Sequence, residues 1–298
     1  MSFNAAETAA VSRLATLALE EDLGDNGDLT SEAIIPADLD GRAVLVARTS
    51  GVVAGLPAAE YCFHAVDAAL AFSPRVADGS LLQRGTQLAT ISGRMRSILI
   101  GERTALNFLQ RLSGVATQTW RYTSLVADLP VQILDTRKTT PGWRVLEKYA
   151  VRCGGGHNHR MGLGDGILIK DNHLAALNSA GAWSPDHAPD AVAEAVRRAR
   201  QLVGTRFPLE IEVDNLTQLD VALTVTPDIV LLDNMSLDDL REAVRRRNGV
   251  APKVKLEASG GVTFATLRGI AETGVDRISV GALTHSAVAL DIALDYLA

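Results

Sequence analysis

Cysteine is nearly absent from this chain. Two residues in 298, Cys62 and Cys153, cannot build a disulfide framework, and their spacing matches no zinc motif. Aromatics are scarce, at 4%, so the core has to be aliphatic and alanine-rich, which favours β/α packing over a β-sandwich. No apolar run approaches the ~18 residues of a membrane span. A basic excess is missing too: the net charge is −6, which speaks against a nucleic-acid surface. The first residues carry Glu7, Glu20, Glu21 and Asp22 where a leader would be basic and then apolar, so a soluble, cytoplasmic protein is expected. Neither a GxSxG elbow nor a Walker loop occurs. What is plentiful is apolar: 47% hydrophobic against 21% charged, which excludes disorder and allows a sizeable core.

The first hundred residues alternate element types. Apolar spacing predicts helices over residues 8–20, 57–71 and 97–112, the second with Pro57 in its first turn. Residues 42–48 and 87–91 read as strands. On the third helix Ile98, Leu99, Ala105, Leu106, Leu109 and Leu112 share an arc, with Glu102 inside it and Arg103 at its edge.

After Pro130 the rhythm becomes β/α. Strands are predicted over residues 131–135, 166–170, 208–213, 228–233, 254–258 and 276–280, with helices over 191–203, 216–225, 237–247 and 264–273. Such alternation means parallel strands with right-handed crossovers. Residues 178–190 read as an exposed loop. Arg245, Arg246 and Arg247 read as a solvated helix face.

Active sites of β/α barrels sit at the C-terminal strand ends. Here those ends carry Asp135, Thr136, Arg137 and Lys138; Lys170, Asp171 and Asn172; Glu212 and Asp214; Asp233 and Asn234; Ser259, Gly260 and Gly261; and Gly281. Between Arg137 and His173 seven Lys/Arg face three acids, a cationic stretch inside an acidic protein that would focus anions. Arginine forks suit carboxylate or phosphate, whereas lysine is a mobile point charge. Ser259-Gly260-Gly261 before a helix, together with Val280-Gly281-Ala282, resembles the phosphate cradle of barrel loops. Glu212 and Asp233 end successive strands. They suit ribose hydroxyls or a hydrated Mg²⁺; an internal salt bridge to nearby lysines is the other reading. His157 and His159 are weak as a metal pair. Lys170 is placed where a Schiff-base lysine would be.

The runs DTRKTTPG (135–142), KYAV (148–151), GGG (154–156), NHR (158–160) and LIKDNH (168–173), in this order, are similar to the quinolinate phosphoribosyltransferase family. EDLG (21–24), GDLT (27–30), ERTALNFLQ (102–110), SGVAT (113–117), IEVDN (211–215), LLDN (231–234), EASGG (257–261) and VGALTHS (280–286) extend the resemblance over nearly the whole chain.

That resemblance implies an α/β fold: an N-terminal α/β domain, residues 1–115, joined by a C-terminal helix over 285–298, and an incomplete, atypical β/α barrel over 116–284, the type II phosphoribosyltransferase-like arrangement. It implies phosphoribosyl transfer from phosphoribosyl pyrophosphate to quinolinate with loss of CO₂, on the de novo route to NAD, with Mg²⁺ as cofactor. Arg103, Thr136, Arg137, Lys138, His159, Arg160 and Lys170 would bind quinolinate. Lys138, Lys170, Glu212 and Asp233 would be the catalytic groups. Glu212, Asp233, Ser259, Gly260, Gly261 and Gly281 would hold the phosphoribosyl moiety, with Glu212 and Asp233 reaching Mg²⁺ through water. The expected assembly is a homodimer with Arg103 supplied across the interface.

Three other readings stand beside this one. A nicotinate phosphoribosyltransferase needs less cationic capacity than three arginines and a histidine provide. A Schiff-base aldolase would be trapped by borohydride at Lys170. A non-catalytic homologue of molybdenum-uptake operons would not need intact Lys138, Lys170, Glu212 and Asp233.

Overall fold

A computed structural model describes residues 1–177 and 188–297. Its elements begin with α1 (Ala5–Leu23), α2 (Leu29–Ile34), β1 (Asp40–Ala47), β2 (Gly51–Val52), α3 (Leu56–Val66), β3 (Ala71–Pro74), β4 (Leu81–Leu82), β5 (Gln87–Arg94) and α4 (Met95–Leu125). They continue with β6 (Gln132–Leu134), α5 (Arg144–Cys153), β7 (Ile167–Ile169), α6 (Asp171–Leu177), α7 (Ala188–Val203), β8 (Leu209–Val213), α8 (Leu216–Val225), β9 (Ile229–Asp233) and α9 (Leu237–Val250). The last are β10 (Lys255–Ser259), α10 (Phe264–Ala271), β11 (Arg277–Ser279), α11 (Ala282–His285) and β12 (Ile292–Tyr296). Two compact units result. One comprises Met1–Arg121, Lys138–Gly156 and Ala282–Ala298; the other comprises Tyr122–Arg137 and His157–Gly281.

In the first unit α1 starts on a capping box: the Asn4 side chain accepts from Glu7 N, and Glu7 accepts from Asn4 N. Each satisfies an N–H that the helix leaves without a partner. The main sheet has the order β12-β1-β5-β3, antiparallel throughout. The long α4 buries Ile98, Ala105, Leu106, Leu109 and Leu112, the arc that the periodicity predicts. Arg103 stays exposed on it.

Two expectations for this unit are corrected. The helix begun at Pro57 ends at Val66 rather than 71, because Asp67 turns the chain and its carboxylate accepts from Ala69 N and Ser97 Oγ. The C-terminal segment expected as a helix over 285–298 is not one in its described part, 285–297: beyond the short α11, Ile292–Tyr296 is a strand. Its Leu and Ala content suits a helix, but β1 offers an open edge, and pairing Ala43 to Tyr296 through Ala47 to Ile292 satisfies that backbone. Such long-range pairing overrides local propensity.

The second unit is built on a parallel sheet of order β6-β11-β10-β9-β8-β7. Its two edge strands, β6 and β7, are not paired to each other among the described residues, so this is an incomplete β/α barrel. All six strands fall where the alternation places them. Residues 178–187 of the expected loop lie outside the described residues; 188–190 instead open α7. The solvated reading of Arg247 is also corrected. It is 6% exposed, donating to Asp276 Oδ2 and the Val254 carbonyl at 2.7 Å, and so ties α9 beneath the sheet while Arg245 remains outside. No described helix is long and apolar enough to cross a membrane.

Candidate active site

Strand side chains alternate between faces, and paired residues of a parallel sheet share one. The register pairs Glu210 with Ile229, Glu212 with Leu231, Leu231 with Glu257, Asp233 with Ser259 and Glu257 with Arg277. Glu210 and Glu212, two apart on β8, therefore face the same interior as Asp233, Ser259, Glu257 and Arg277. Within this row Glu212, Asp233 and Ser259 stand nearest the C-terminal strand ends.

The cationic part is organised by Asp135, which is fully buried at the end of β6. One carboxylate oxygen accepts from His159 N at 2.9 Å, the other from the Asn158 amide at 2.6 Å. His157 pairs with Leu134, continuing the sheet for one residue. The glycine-rich turn before it lets the segment Asn158-His159-Arg160 lie along the strand end. Arg160 NH1 donates to the Gly166 carbonyl at 2.9 Å, while its Nε is buried without a hydrogen-bond partner among the described residues. Burial first, and then the Arg137 guanidinium, push Arg160 below its ordinary value. The carboxylates of Glu210 and Asp165 act the other way, and two guanidiniums inside each other's field suit an anion.

His159 is turned away from that role. Its Nδ1 accepts from Arg160 N at 2.8 Å and its Nε2 lies 3.0 Å from Glu210 Oε2, so both ring nitrogens are engaged. His157 is exposed and takes no part in the one group with metal-ligand chemistry among the described residues, His159 with Glu210 and Glu257.

On the other side of the strand ends Lys170 Nζ donates to Glu212 Oε2 at 2.9 Å. Asp233 Oδ2 accepts from the Asn234 amide at 2.7 Å. Asn234 has positive φ and its N–H reaches the Ser259 carbonyl. Gly260 and Gly261 both have positive φ, and a Cβ on Gly260 would run into the Asn234 amide. These glycines lead into α10, whose N-terminus Thr263 caps with a box to Thr266. Backbone N–H groups and the helix dipole here favour a phosphate. Gly281 follows β11 in the same unit.

The second unit thus brings together Thr136, Arg137, His159, Arg160, Lys170, Glu212, Asp233, Ser259, Gly260, Gly261 and Gly281. Arg103 and Lys138 belong to the first. There Thr284 Oγ1 donates to the Lys138 carbonyl at 2.8 Å, and buried Glu147 takes Arg111 at 2.6 Å together with Thr140 N and Oγ1. Sequence reasoning missed these loop supports, along with Asn158, Glu210, Glu257 and Arg277. The Glu-x-Glu spacing in β8 was the available signal for Glu210, since period 2 puts both acids on one face.

A cavity of about 730 Å³ lined by Pro208, Thr226, Lys253 and Arg277 among others lies at the opposite, N-terminal strand ends. It therefore lies at the end of the strands away from Lys170, Glu212 and Asp233.

Comparison with known proteins shows the family. The model of the quinolinate phosphoribosyl transferase N-terminal domain matches residues 28–113, and that of its C-terminal domain matches residues 115–295. The chain belongs to the quinolinate phosphoribosyl transferase family. The nicotinate-nucleotide pyrophosphorylase (carboxylating) of Mycobacterium leprae is 44% identical over 280 residues, covering 93% of this chain and 94% of that one. Quinolinate phosphoribosyltransferase (decarboxylating) 1 of Nicotiana glauca is 42% identical over 291 residues, covering 93% and 80%. The solved nicotinate-nucleotide pyrophosphorylase of Francisella tularensis matches with a TM-score of 0.87 at 38% identity, over 97% of this chain and 96% of that one. The family's two domain models meet within α4, between residues 113 and 115.

Proposed function

We infer that this chain transfers the phosphoribosyl group of phosphoribosyl pyrophosphate to quinolinate and releases CO₂, forming nicotinate mononucleotide and pyrophosphate in de novo NAD biosynthesis. The observation that carries the reading is the Arg137–Arg160 pair in the same unit as Lys170, Glu212 and Asp233, which end the successive strands β7, β8 and β9. Two fixed guanidiniums suit a dicarboxylate better than a monocarboxylate.

The chemistry asks little covalent work of the protein. The pyridine nitrogen of quinolinate is the nucleophile, so no serine, cysteine or activating base is required. As pyrophosphate departs, positive charge develops at the anomeric carbon and negative charge on the leaving group. Glu212 and Asp233 answer the first, with the ribose hydroxyls; Lys138 and Lys170 answer the second. Ser259, Gly260, Gly261 and Gly281 hold the 5′-phosphate. Thr136, Arg137, His159 and Arg160 form the quinolinate pocket, His159 acting through its neighbours since both its ring nitrogens are taken. Once the ring nitrogen is quaternary it draws electrons from the adjacent carbon–carboxylate bond, CO₂ leaves, and the ring carbanion takes a proton.

Magnesium fits this donor set. Glu212 and Asp233 offer hard carboxylate oxygens, two in number and already hydrogen-bonded to Lys170 and Asn234, which suits a hydrated ion completed by substrate phosphates. When bound, Mg²⁺ supplies positive charge to the pyrophosphate oxygens. The assembly we propose is a homodimer in which the partner subunit's Arg103 completes each quinolinate pocket; exposed Arg103 on α4 suits that role.

Steady-state turnover with quinolinate against nicotinate tests the reading. Quinolinate should be at least ~100-fold more efficient, because leaving a desolvated cation unpaired costs ~2–5 kcal/mol. Comparable efficiencies would contradict it.

A further inference from the structure

Beneath the strand ends, the barrel interior holds charge that the proposed reaction does not use. Barrel interiors are ordinarily layers of branched aliphatic side chains. Here Glu210 on β8 is 3% exposed and Glu257 on β10 is 0% exposed. Arg277 on β11 places Nε 2.9 Å from Glu257 Oε2. The His159 ring enters from above, with Nε2 at 3.0 Å from Glu210 Oε2 and 3.5 Å from Glu257 Oε1. Glu210 Oε1 has no hydrogen-bond partner among the described residues. Buried carboxylates are costly, and an aliphatic layer of equal volume would hold the sheet as well or better. The expense calls for a reason beyond packing. A metal ion would suit one imidazole and two carboxylates, but Arg277 already brings a cation to the pair.

The reason lies in which ring nitrogen carries the proton. Nδ1 accepts from Arg160 N at 2.8 Å, so it is bare, and the proton is on Nε2, where it donates to Glu210. A ring flipped by half a turn would set a C–H against Glu210 and leave the Arg160 N–H without an acceptor. Resting on the function proposed above, we propose that Glu210, Glu257 and Arg277 are positioning residues of the quinolinate pocket. Their buried charges hold His159 as the Nε2–H tautomer in one orientation, and through its Nδ1 they set the backbone from which the Arg160 guanidinium is aimed. Glu210 is the acceptor that selects the orientation, Glu257 adds a second carboxyl group on the same side, and Arg277 balances the negative charge of the pair. Asp135 fixes the main chain of the same segment from the other side.

The test combines kinetics with a tautomer measurement on the full-length protein. In Glu210→Ala the KM for quinolinate should rise roughly tenfold, the worth of about one hydrogen bond, while the KM for phosphoribosyl pyrophosphate stays put. Glu210→Gln keeps a carbonyl oxygen for Nε2–H and should rescue most of that loss. ¹⁵N spectra of histidine-labelled protein, with the His159 signals assigned by their absence in His159→Asn, should show a bare Nδ1 and a protonated Nε2. Equal rises in both KM values, or no rescue by Gln, would overturn the positioning role in favour of plain stability. Should Glu210→Ala fail to fold, the Gln variant and the wild-type spectrum still decide. Wild-type turnover of quinolinate is the control: its absence would overturn the function reading, whereas an Nδ1–H imidazole in an active enzyme would overturn the positioning role alone.

Discussion

Lys170 Nζ stands 2.9 Å from Glu212 Oε2, one step beyond the register pair Ile169 and Ile211. Each is the other's partner until substrates arrive. The Lys170 side chain is 46% exposed and the Glu212 side chain 10%; in the proposed reaction the lysine swings to the leaving pyrophosphate while the acid stays to meet the ribose. Lys170→Ala and Glu212→Ala should each lower kcat/KM roughly 10²–10³-fold, the loss typical of one aimed electrostatic group. Because each single change also leaves a partner charge unmatched, the double variant should lose less than the product of the two. Multiplicative losses in steady-state kinetics would show that the two act independently.

Gly260 is where the turn before α10 has no room. It combines positive φ with the Asn234 amide at the place a Cβ would occupy. Gly260→Ala should destabilise the chain by about 1–3 kcal/mol and raise the KM for phosphoribosyl pyrophosphate more than that for quinolinate. Adding Asn234→Ala removes the collision but not the φ strain, so it should restore only part of the loss in a thermal melt. Full restoration would mean that the backbone conformation there costs nothing.

Arg103 gives the shared-site proposal a complementation test. Arg103→Ala and Lys170→Ala should each be nearly inactive. Co-expressed equally, about half the dimers are mixed, and in each mixed dimer one site takes both defects and the other none. About one quarter of wild-type activity should return. Confirmed mixed dimers without activity would place Arg103 in its own chain's site.

Glu257 links the barrel interior to pH. Burial first, and then the charge of Glu210, raise its carboxyl from 4.5 to about 7. Above the unfolded value the folded chain keeps a proton that the unfolded chain has released. Stability from this group is therefore complete below about pH 4.5 and is lost as pH rises through about 7. Glu257→Gln removes the titration. The Tm of wild type minus that of the variant should fall between about pH 5 and pH 7 and then level off. A difference independent of pH would mean that Glu257 is ionised throughout.

The barrel strands were legible because each is an apolar run that breaks into charge or glycine at its C-terminal end, as in Glu212-Val213-Asp214 and Ser259-Gly260-Gly261. The glycine turn before α10 was legible for the same reason. Arg247 was not: within an Arg-Arg-Arg run nothing local says which of the three turns under the sheet to Asp276. Nor was β12, whose strand state depends on the edge of β1, more than two hundred residues earlier. Glu210 and Glu257 look in sequence like the solvated positions of half-buried strands. Only the sheet order, which closes both faces around them, makes them interior.

The most direct test of the central claim follows the carboxylate that should leave. Quinolinate labelled in the carboxylate next to the ring nitrogen is incubated with phosphoribosyl pyrophosphate, Mg²⁺ and the purified protein, and labelled CO₂ is counted against pyrophosphate. The account predicts one CO₂ for each pyrophosphate and no release of label when phosphoribosyl pyrophosphate is withheld, because only the quaternised ring can shed the carboxylate. Pyrophosphate formed without labelled CO₂, or label lost from quinolinate alone, would contradict it.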